Sequence, residues 1–400
     1  MTMTLHQTEA GTPAADEVSL AARRRRNRIR YEATQWAVVI AAIALVVLFG
    51  FTVNNGLAAR GIRFTYAFLW NAAGFDISEG KTLVLNPFGF MDFTPDLSVA
   101  QAFVTGLINT LKVAILGIVL STILGTLLGV GRLSTNWVVR NLCFWVVEFI
   151  RNTPLLIQIV FWYFAVVLQF PPIANAAKFY GVVLSQQGLY LPALAWQGGE
   201  GMLPLALLTA LFVALLGLLF DHRARWICAA VAVASAVALL VSGFVAVDFP
   251  VANKFKASGG MNVSPEMAAL LLGIVFNSAS YIAEIVRGAI DALPKGQWEA
   301  SAALGLSRKN TVNDIVLPQV FRVVLPSFGN QYISLTKNTA LGIAIGYPDL
   351  FNIYGTIANQ TGHSLEGIII VMLTYLILSW IVSALVGLVD RRLNRLGAVR

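Results

Sequence analysis

The sequence predicts an all-α, polytopic membrane protein with about eight transmembrane helices. Of its 400 residues, 57% are hydrophobic and 12% are charged, and the mean hydropathy is +0.73. A soluble domain has about 25% charged residues, so the composition excludes a soluble protein. About 20 apolar residues cross a hydrocarbon core of about 30 Å, and a helix satisfies its own backbone hydrogen bonds there. The alternation of about ten residues per strand that is typical of membrane barrels is absent.

Eight apolar runs predict the spans. The seventh is the least apolar, because it contains Lys337, Asn338 and Thr339. Without it the basic C-terminus would lie outside the cell, so charge distribution favours keeping it. The expected spans cover about 36–53, 99–130, 142–170, 203–220, 226–247, 266–290, 331–347 and 367–389.

The domain organisation follows from these spans. We expect a basic cytoplasmic tail over 1–35, an extra first membrane helix with a periplasmic loop over 36–98, and the first part of a membrane core over 99–170. An inserted helical hairpin with periplasmic loops covers 171–262. The second part of the core covers 263–390 and includes the hydrophilic loop 291–330, and 391–400 form a basic cytoplasmic tail.

Basic residues set the expected orientation. With both termini in the cytoplasm, the predicted inner segments hold about 18 of the 28 Lys and Arg residues, and the outer loops hold about six. This asymmetry agrees with the positive-inside rule. The basic run Arg23–Arg26 before the first span could also belong to a secretory signal or a nucleic-acid-binding arm. The many spans that follow favour an uncleaved first helix in the lipid bilayer and no nucleic-acid partner.

Metal, disulfide and nucleotide chemistry are not indicated. Cys143 and Cys228 lie in or beside apolar runs, and the three histidines are scattered, so we expect no metal site, no cofactor and no catalytic residues. The stretch Gly80-Lys81-Thr82 resembles the end of a nucleotide-binding loop. That loop requires a glycine five residues earlier, and Phe75 stands there instead.

The hydrophilic stretch Glu299–Pro318 predicts a helix–turn–helix. Pro294 suits a helix start, and Gly305 can adopt the left-handed conformation that ends a helix. Ser307 is a suitable N-cap for the second helix, and we expect Pro318 to change the chain direction. From the residues alone, a docking surface and an ordinary connection between spans are about equally favoured.

A resemblance separates these alternatives. The order Glu-Ala-Ala, three residues, Gly, nine residues, Ile-x-Leu-Pro is the signature loop of ABC-importer permeases, and Ser301 replaces its second Ala. The resemblance implies a type I ABC-importer permease fold with a five-helix core, in which this loop docks into a separate cytoplasmic ATPase subunit. The positions that match are Glu299, Ala300, Gly305, Ile315, Leu317 and Pro318.

Other stretches resemble the polar amino-acid (histidine/glutamine permease-like) branch of that family, namely 148–158, 281–289, 294–300 and 335–341, with Asn152 in place of the usual Gly. The enlarged chain is similar to general L-amino-acid permeases. The resemblance implies import of a broad range of L-amino acids through the bacterial inner membrane. It also implies ABC ATPase subunits, a second permease subunit (a paralogue or a second copy) and a periplasmic amino-acid-binding protein as partners.

Ionisable residues inside spans are candidates for the translocation path, because a charge at bilayer depth usually faces a wet cavity or a bundle interior. The pairs Glu148–Arg151 and Glu284–Arg287 are three residues apart, so a structural ion pair is the favoured alternative for them. Lys337 has no partner nearby in sequence and is the better path candidate, together with Thr339. An ion-gradient-driven carrier or channel is the competing function, but no inverted repeat or broken helix is evident.

Overall fold

The computed structural model describes residues 13–59, 64–85, 88–196, 206–207, 209–211, 213–214, 225–242, 245–307 and 310–398. The chain divides into two compact units, Met1–Tyr66 and Ala67–Arg400. The described part of the first unit is largely one helix, α1 (Pro13–Ala59), which contains the apolar stretch Ile29–Val53.

The second unit is built mainly from helices. Ser98 caps the helix that begins at Val99 through a capping box with Gln101, and Ser264 caps the helix that begins at Pro265. The helices are α2 (Val99–Gly131), α3 (Trp137–Arg151), α4 (Leu155–Phe161), α5 (Arg225–Val241), α6 (Pro265–Asp291), α7 (Lys295–Ala303), α8 (Leu317–Asn338), α9 (Leu350–Thr361) and α10 (Ser364–Ala398).

Small residues bring α2 and α6 together. Gly117, Ser121, Gly125 and Gly129 are all buried on one face of α2. A Cβ atom at Gly125 would lie 2.6 Å from the Ile282 side chain of α6. Close backbone approach of this kind is how helices associate in lipid, so the four-residue spacing marks the packing face of α2.

The all-α expectation is wrong for two parts of the inserted region and for the loop before α2. Strands β3 (Ala177–Phe179), β4 (Val182–Ser185), β5 (Gly188–Leu191) and β10 (Met261–Val263) form an antiparallel sheet in the order β10-β5-β4-β3. Two-stranded pairs join β1 (Lys81–Leu85) to β2 (Phe88–Asp92), β6 (Ala193–Trp196) to β7 (Val245–Asp248) and β8 (Val251–Ala252) to β9 (Ala257–Ser258).

The sequence signal for these strands is short and local. Side-chain burial alternates along β4 and β5, and glycines with positive φ at Gly181 and Gly188 permit the tight turns between strands. Averaging hydropathy over a window as long as a membrane span hides an alternation of four residues. The pairing of β6 with β7 places Trp196 opposite Val245, so β7 begins beside the point where β6 ends.

Four helices in the described residues are long and apolar enough to span a membrane, or five if a bent pair counts as one span. They are Ile29–Val53, Val99–Gly131, Pro265–Asp291 and Ser364–Arg391, with the pair Trp137–Arg151 and Leu155–Gln169. The predicted span 203–220 and the residues 221–224 lie largely outside the described residues. The predicted span 226–247 contains a shorter apolar helix, Trp226–Leu239, and ends in β7.

Two predicted spans differ from the structure for identifiable reasons. The third, 142–170, bends by 104° between α3 and the next helix, because Pro154 lacks an N–H and disfavours helical backbone at the residue before it. The seventh, 331–347, includes the end of α8, which stops at Asn338 and continues as a tighter 3-10 helix over Thr339–Ile345.

Pro318 does not change the chain direction. A π-helical turn over Thr311–Val316 leads into α8, and Pro318 occupies the first turn of that helix. A proline is tolerated there because the first N–H groups of a helix have no partner within it. Ser307 begins this helical stretch, since its hydroxyl accepts a hydrogen bond from the Asn310 N–H at 3.3 Å. The charged residues Arg308 and Lys309 lie outside the described residues.

Candidate functional site

Lys112 on α2 and Arg132, the C-cap residue directly after α2, mark the two ends of an apolar belt. Lys112 and Arg132 are about 20 residues apart, which is about 30 Å along a helix and equals the thickness of a hydrocarbon core. We refer to their depths as the Lys112 level and the Arg132 level. The large exposed side chains between them are all apolar: Ile115, Leu116, Val119, Leu120, Ile123, Leu127 and Val130.

An ion-pair cluster lies at the Arg132 level. The Arg132 guanidinium is only 8% exposed and lies 2.6 Å from the carboxylate of Glu284 and 3.6 Å from that of Glu148. Arg151 approaches the same two carboxylates, at 3.8 Å from Glu148 and 3.6 Å from Glu284. The ends of α2, α3 and α6 are therefore joined by charge pairs at the edge of the apolar belt.

Arg287 extends this cluster toward the end of α6. Its guanidinium lies 2.6 Å from the Glu284 carboxylate and also pairs with Asp291, one turn further along. The structure thus brings together four of the predicted path residues and adds two that the sequence analysis did not select, Arg132 and Asp291. The spacing of about 20 residues between Lys112 and Arg132 is the sequence signal that could have identified Arg132 as a boundary residue.

Lys337 occupies a different environment from this cluster. The Tyr332 hydroxyl lies 2.8 Å from the hydroxyl of Thr122, and Thr122 is midway between Lys112 and Arg132 on α2. Tyr332 is therefore near the middle of the apolar belt. Lys337 follows it by five residues on α8, and at the rise of an α-helix this places Lys337 about 7 Å closer to the Lys112 level. Its side chain is exposed, and it forms no ion pair within the described residues.

Thr339 does not share that exposure. It is fully buried, donates a hydrogen bond to the Thr336 carbonyl at 2.9 Å, and lies 3.5 Å from the Tyr375 hydroxyl. The structure therefore separates the two residues that the sequence analysis grouped. Lys337 instead continues an exposed polar face of α8 at helical spacing, formed by Ser327, Asn330, Ser334 and Lys337.

The first part of the signature loop belongs to a compact knob. The knob consists of α7 and the turn that follows it, and it ends at Leu306. Gly305 has φ +68, and its N–H donates to the Ala302 carbonyl while the Leu306 N–H donates to the Ser301 carbonyl, both at 3.0 Å. These two bonds form a Schellman motif, which needs the left-handed conformation that glycine adopts most readily. Leu304 projects from the knob and is 76% exposed, so the knob has an apolar side chain at its surface.

The knob is packed against the membrane helices. Val316, Val320 and Phe328, on the helical stretch after the knob, form one buried cluster with Ile282 and Val286 of α6, and Trp298 of α7 packs against that cluster. Packed interiors transmit displacement because they are dense. The knob is therefore connected through this one cluster to both α6, which contains Glu284, and α8, which contains Lys337.

These features define a class of protein: a multi-pass membrane protein with an exposed knob packed against its long apolar helices. Residues 117–395 match the family described as binding-protein-dependent transport system inner membrane component, and the chain belongs to that family. It is thus a permease component of a binding-protein-dependent transporter in the inner membrane.

The relatives are permeases of similar length. A putative amino-acid ABC transporter permease, YhdX of Escherichia coli K12, is 36% identical over 374 residues, covering 89% of this chain and 92% of YhdX. The general L-amino acid transport system permease AapQ of Rhizobium johnstonii is 36% identical over 372 residues, covering 88% of this chain and 91% of AapQ. A solved amino acid ABC transporter with histidines covers 73% of this chain and 94% of its own, at 22% identity and a TM-score of 0.45.

Proposed function

We propose that the chain is the permease subunit of an ABC importer for L-amino acids of broad range. Two relatives that match this chain over nearly their whole length are named as amino-acid permeases. The exposed knob packed onto α6 and α8 is the observation that supports coupling to a partner. Cytoplasmic ABC ATPase subunits would bind the knob and hydrolyse ATP, a periplasmic binding protein would deliver the amino acid, and a second permease, paralogous or identical, would complete the path.

The orientation belongs to the same proposal. The excess of basic residues places both termini and the Arg132 level on the cytoplasmic side, and the Lys112 level then faces the periplasm. The permease core comprises residues 99–170 and 263–390, to which the N-terminal helix and the region 171–262 are additions. The ATPase-contacting positions are Glu299, Ala300, Gly305, Ile315, Leu317 and Pro318.

The exposed polar face of α8 is the proposed lining of the translocation path. Asparagine, serine and lysine side chains exposed to hydrocarbon are costly, so this face is better accommodated against water or a second permease subunit than against lipid. Lys337 offers a cation to the carboxylate of an amino acid. The cluster around Glu284 and Arg287 instead joins helix ends, with Glu148 and Arg151 as its other members, and the structural-pair interpretation is favoured for it.

The coupling role is tested by Gly305→Val. A β-branched residue strains the left-handed backbone by about 1–2 kcal/mol and adds bulk to a knob whose position 305 has no neighbouring heavy atom within 4 Å. We expect the variant to reach the membrane at normal levels and to lose uptake and ATPase copurification. The matched control is Gly296→Ala in the first turn of α7, where an added Cβ atom also meets no heavy atom within 4 Å. Normal uptake by Gly305→Val would contradict the coupling role.

A further inference from the structure

A cavity of about 640 Å³ opens at the Lys112 level. One wall is α2, a second is the hairpin β1–β2 with the loop before it, and the third is β10 from the region 171–262. This volume lies within the range of about 300–1,000 Å³ that is typical of small-molecule sites. Residues that line it include Glu79, Lys81, Asp92, Ile108, Lys112 and Asn262.

The cavity is lined by equal numbers of acidic and basic side chains. The Lys112 ammonium lies 3.4 Å from a carboxylate oxygen of Glu79, whose side chain is only 17% exposed. Lys81 and Asp92 face each other across the strands β1 and β2. Two acids and two bases therefore line one cavity, which favours a ligand that has both a positive and a negative end over an ion of one sign.

The position of Glu79 is fixed by the surrounding backbone. The Asn109 side-chain amide of α2 donates to the carbonyls of Glu79, at 2.8 Å, and Pro348, at 2.9 Å. A Cβ atom at Gly80 would lie 2.5 Å from the Thr105 side chain, so the loop packs directly on α2. The second carboxylate oxygen of Glu79 is buried and accepts no hydrogen bond from the described residues, so this carboxylate has capacity for a further donor.

We infer that this cavity binds a free zwitterionic α-amino acid. Glu79 accepts hydrogen bonds from the ligand ammonium, and Lys112 pairs with the ligand carboxylate, so the ligand contacts both members of the existing ion pair. The apolar side chains of Ile108, Phe90 and Met261 also line the cavity and accommodate side chains of different chemistry. The inference rests on the proposed function and names a second amino-acid site, outside the α8 path.

This site also gives the region 171–262 a role. The strand β10 is at the edge of its sheet, with β5 on one side, and the cavity lies against Met261 and Asn262 of that strand. The additional strands therefore supply a wall that α2 and the hairpin β1–β2 alone do not provide. In the proposed orientation, the cavity is an external vestibule above the apolar belt.

The test measures direct binding of L-leucine to the purified full chain in lipid nanodiscs by calorimetry. Isoamylamine, which lacks the carboxylate, and 4-methylpentanoate, which lacks the ammonium, are the comparison ligands. Losing one charge-assisted hydrogen bond weakens binding by about tenfold or more. We therefore expect both analogues to bind at least about tenfold more weakly than L-leucine.

Variants locate the site. We expect Glu79→Gln and Lys112→Gln to weaken L-leucine binding about tenfold or more, and Lys81→Gln, on an exposed wall, about two- to fivefold. Lys178→Gln, on β3 and outside the cavity, is the matched control and should leave affinity unchanged. Because Lys81 is exposed on a hairpin, its variant reports on the cavity even where Glu79→Gln lowers the melting temperature.

Two results would overturn the inference: equal binding of L-leucine and its two analogues, or unchanged affinity in the three cavity variants. Uptake by the assembled importer separates this outcome from a failure of the proposed function. Amino-acid uptake by wild type with unchanged binding in the variants would refute only the vestibule. Absence of amino-acid uptake by the assembled wild-type importer would refute the proposed function itself.

Discussion

Lys337 carries a charge, has an exposed side chain and lies between the two ends of the apolar belt. Its backbone position on α8 is about 7 Å from the middle of the apolar belt by helix rise, and the described residues offer its ammonium no carboxylate within ion-pair distance. Burying such a charge in hydrocarbon costs several kcal/mol. A water-filled path or the surface of a second permease subunit relieves that cost, and an amino-acid carboxylate can pair with the charge.

At the residue scale we predict that Lys337→Gln lowers amino-acid uptake about tenfold, because one charge-assisted hydrogen bond to substrate is lost. Lys337→Arg, which retains the positive charge, should retain more uptake. The measurement is initial uptake rate in vesicles as a function of external amino-acid concentration. Lys254→Gln, on the loop between β8 and β9, is the control. Wild-type rates for Lys337→Gln at every concentration would exclude Lys337 from the path.

At the scale of elements, the contact of α2 with α6 organises the bundle. At Gly125 a Cβ atom would lie 2.6 Å from the Ile282 side chain and 2.7 Å from the Ala279 carbonyl. At Gly129 it would lie 2.7 Å from the Ala283 carbonyl. Backbone atoms cannot move aside as a flexible side chain can, so these two positions require glycine for the close approach of the helices.

We predict that Gly125→Ala destabilises the purified chain by about 1–3 kcal/mol through overpacking. Gly288→Ala lies on α6 with no neighbour within 4 Å, and it should be neutral or stabilising by about 0.5–1 kcal/mol, because alanine favours helix. Thermal unfolding in detergent compares the two. Equal melting temperatures for Gly125→Ala and wild type would show that the helices can separate without cost.

At the scale of the whole molecule, the chain contains a transport unit and depends on partners for energy. The stretch Gly80-Lys81-Thr82 leads into strand β1, whereas a nucleotide-binding loop leads into a helix whose N-terminus binds phosphate. The structure therefore agrees with the rejection of this stretch as a nucleotide site. In the proposed function, ATP hydrolysis by a partner acts on the chain through the knob.

We accordingly predict that the purified chain alone hydrolyses no ATP, and that hydrolysis appears when the partner ATPase is added. Phosphate release is the measurement, with an ATPase variant that lacks its P-loop lysine as the control. Hydrolysis by the chain purified free of any ATPase would contradict the assignment of energy coupling to a partner.

The membrane class, the helix ends at the knob and the two i,i+3 charge pairs can be predicted from the sequence, because these depend on composition or on residues one helical turn apart. Gly305, for example, is recognisable as a helix terminator from its neighbours alone. The short strands of 177–196 and 245–263 were missed, because their alternation extends over only a few residues and part of their pairing joins distant segments.

Which distant groups meet across the chain is visible only in the tertiary structure. Arg132 pairs with Glu284, 152 positions away, and the cavity at the Lys112 level combines residues from three separate segments. It also decided that Thr339 is buried while Lys337 is exposed, two positions apart on nearly the same helix. Such contacts depend on how helices pack and on which residues fill the space between them, and local spacing contains no information about either.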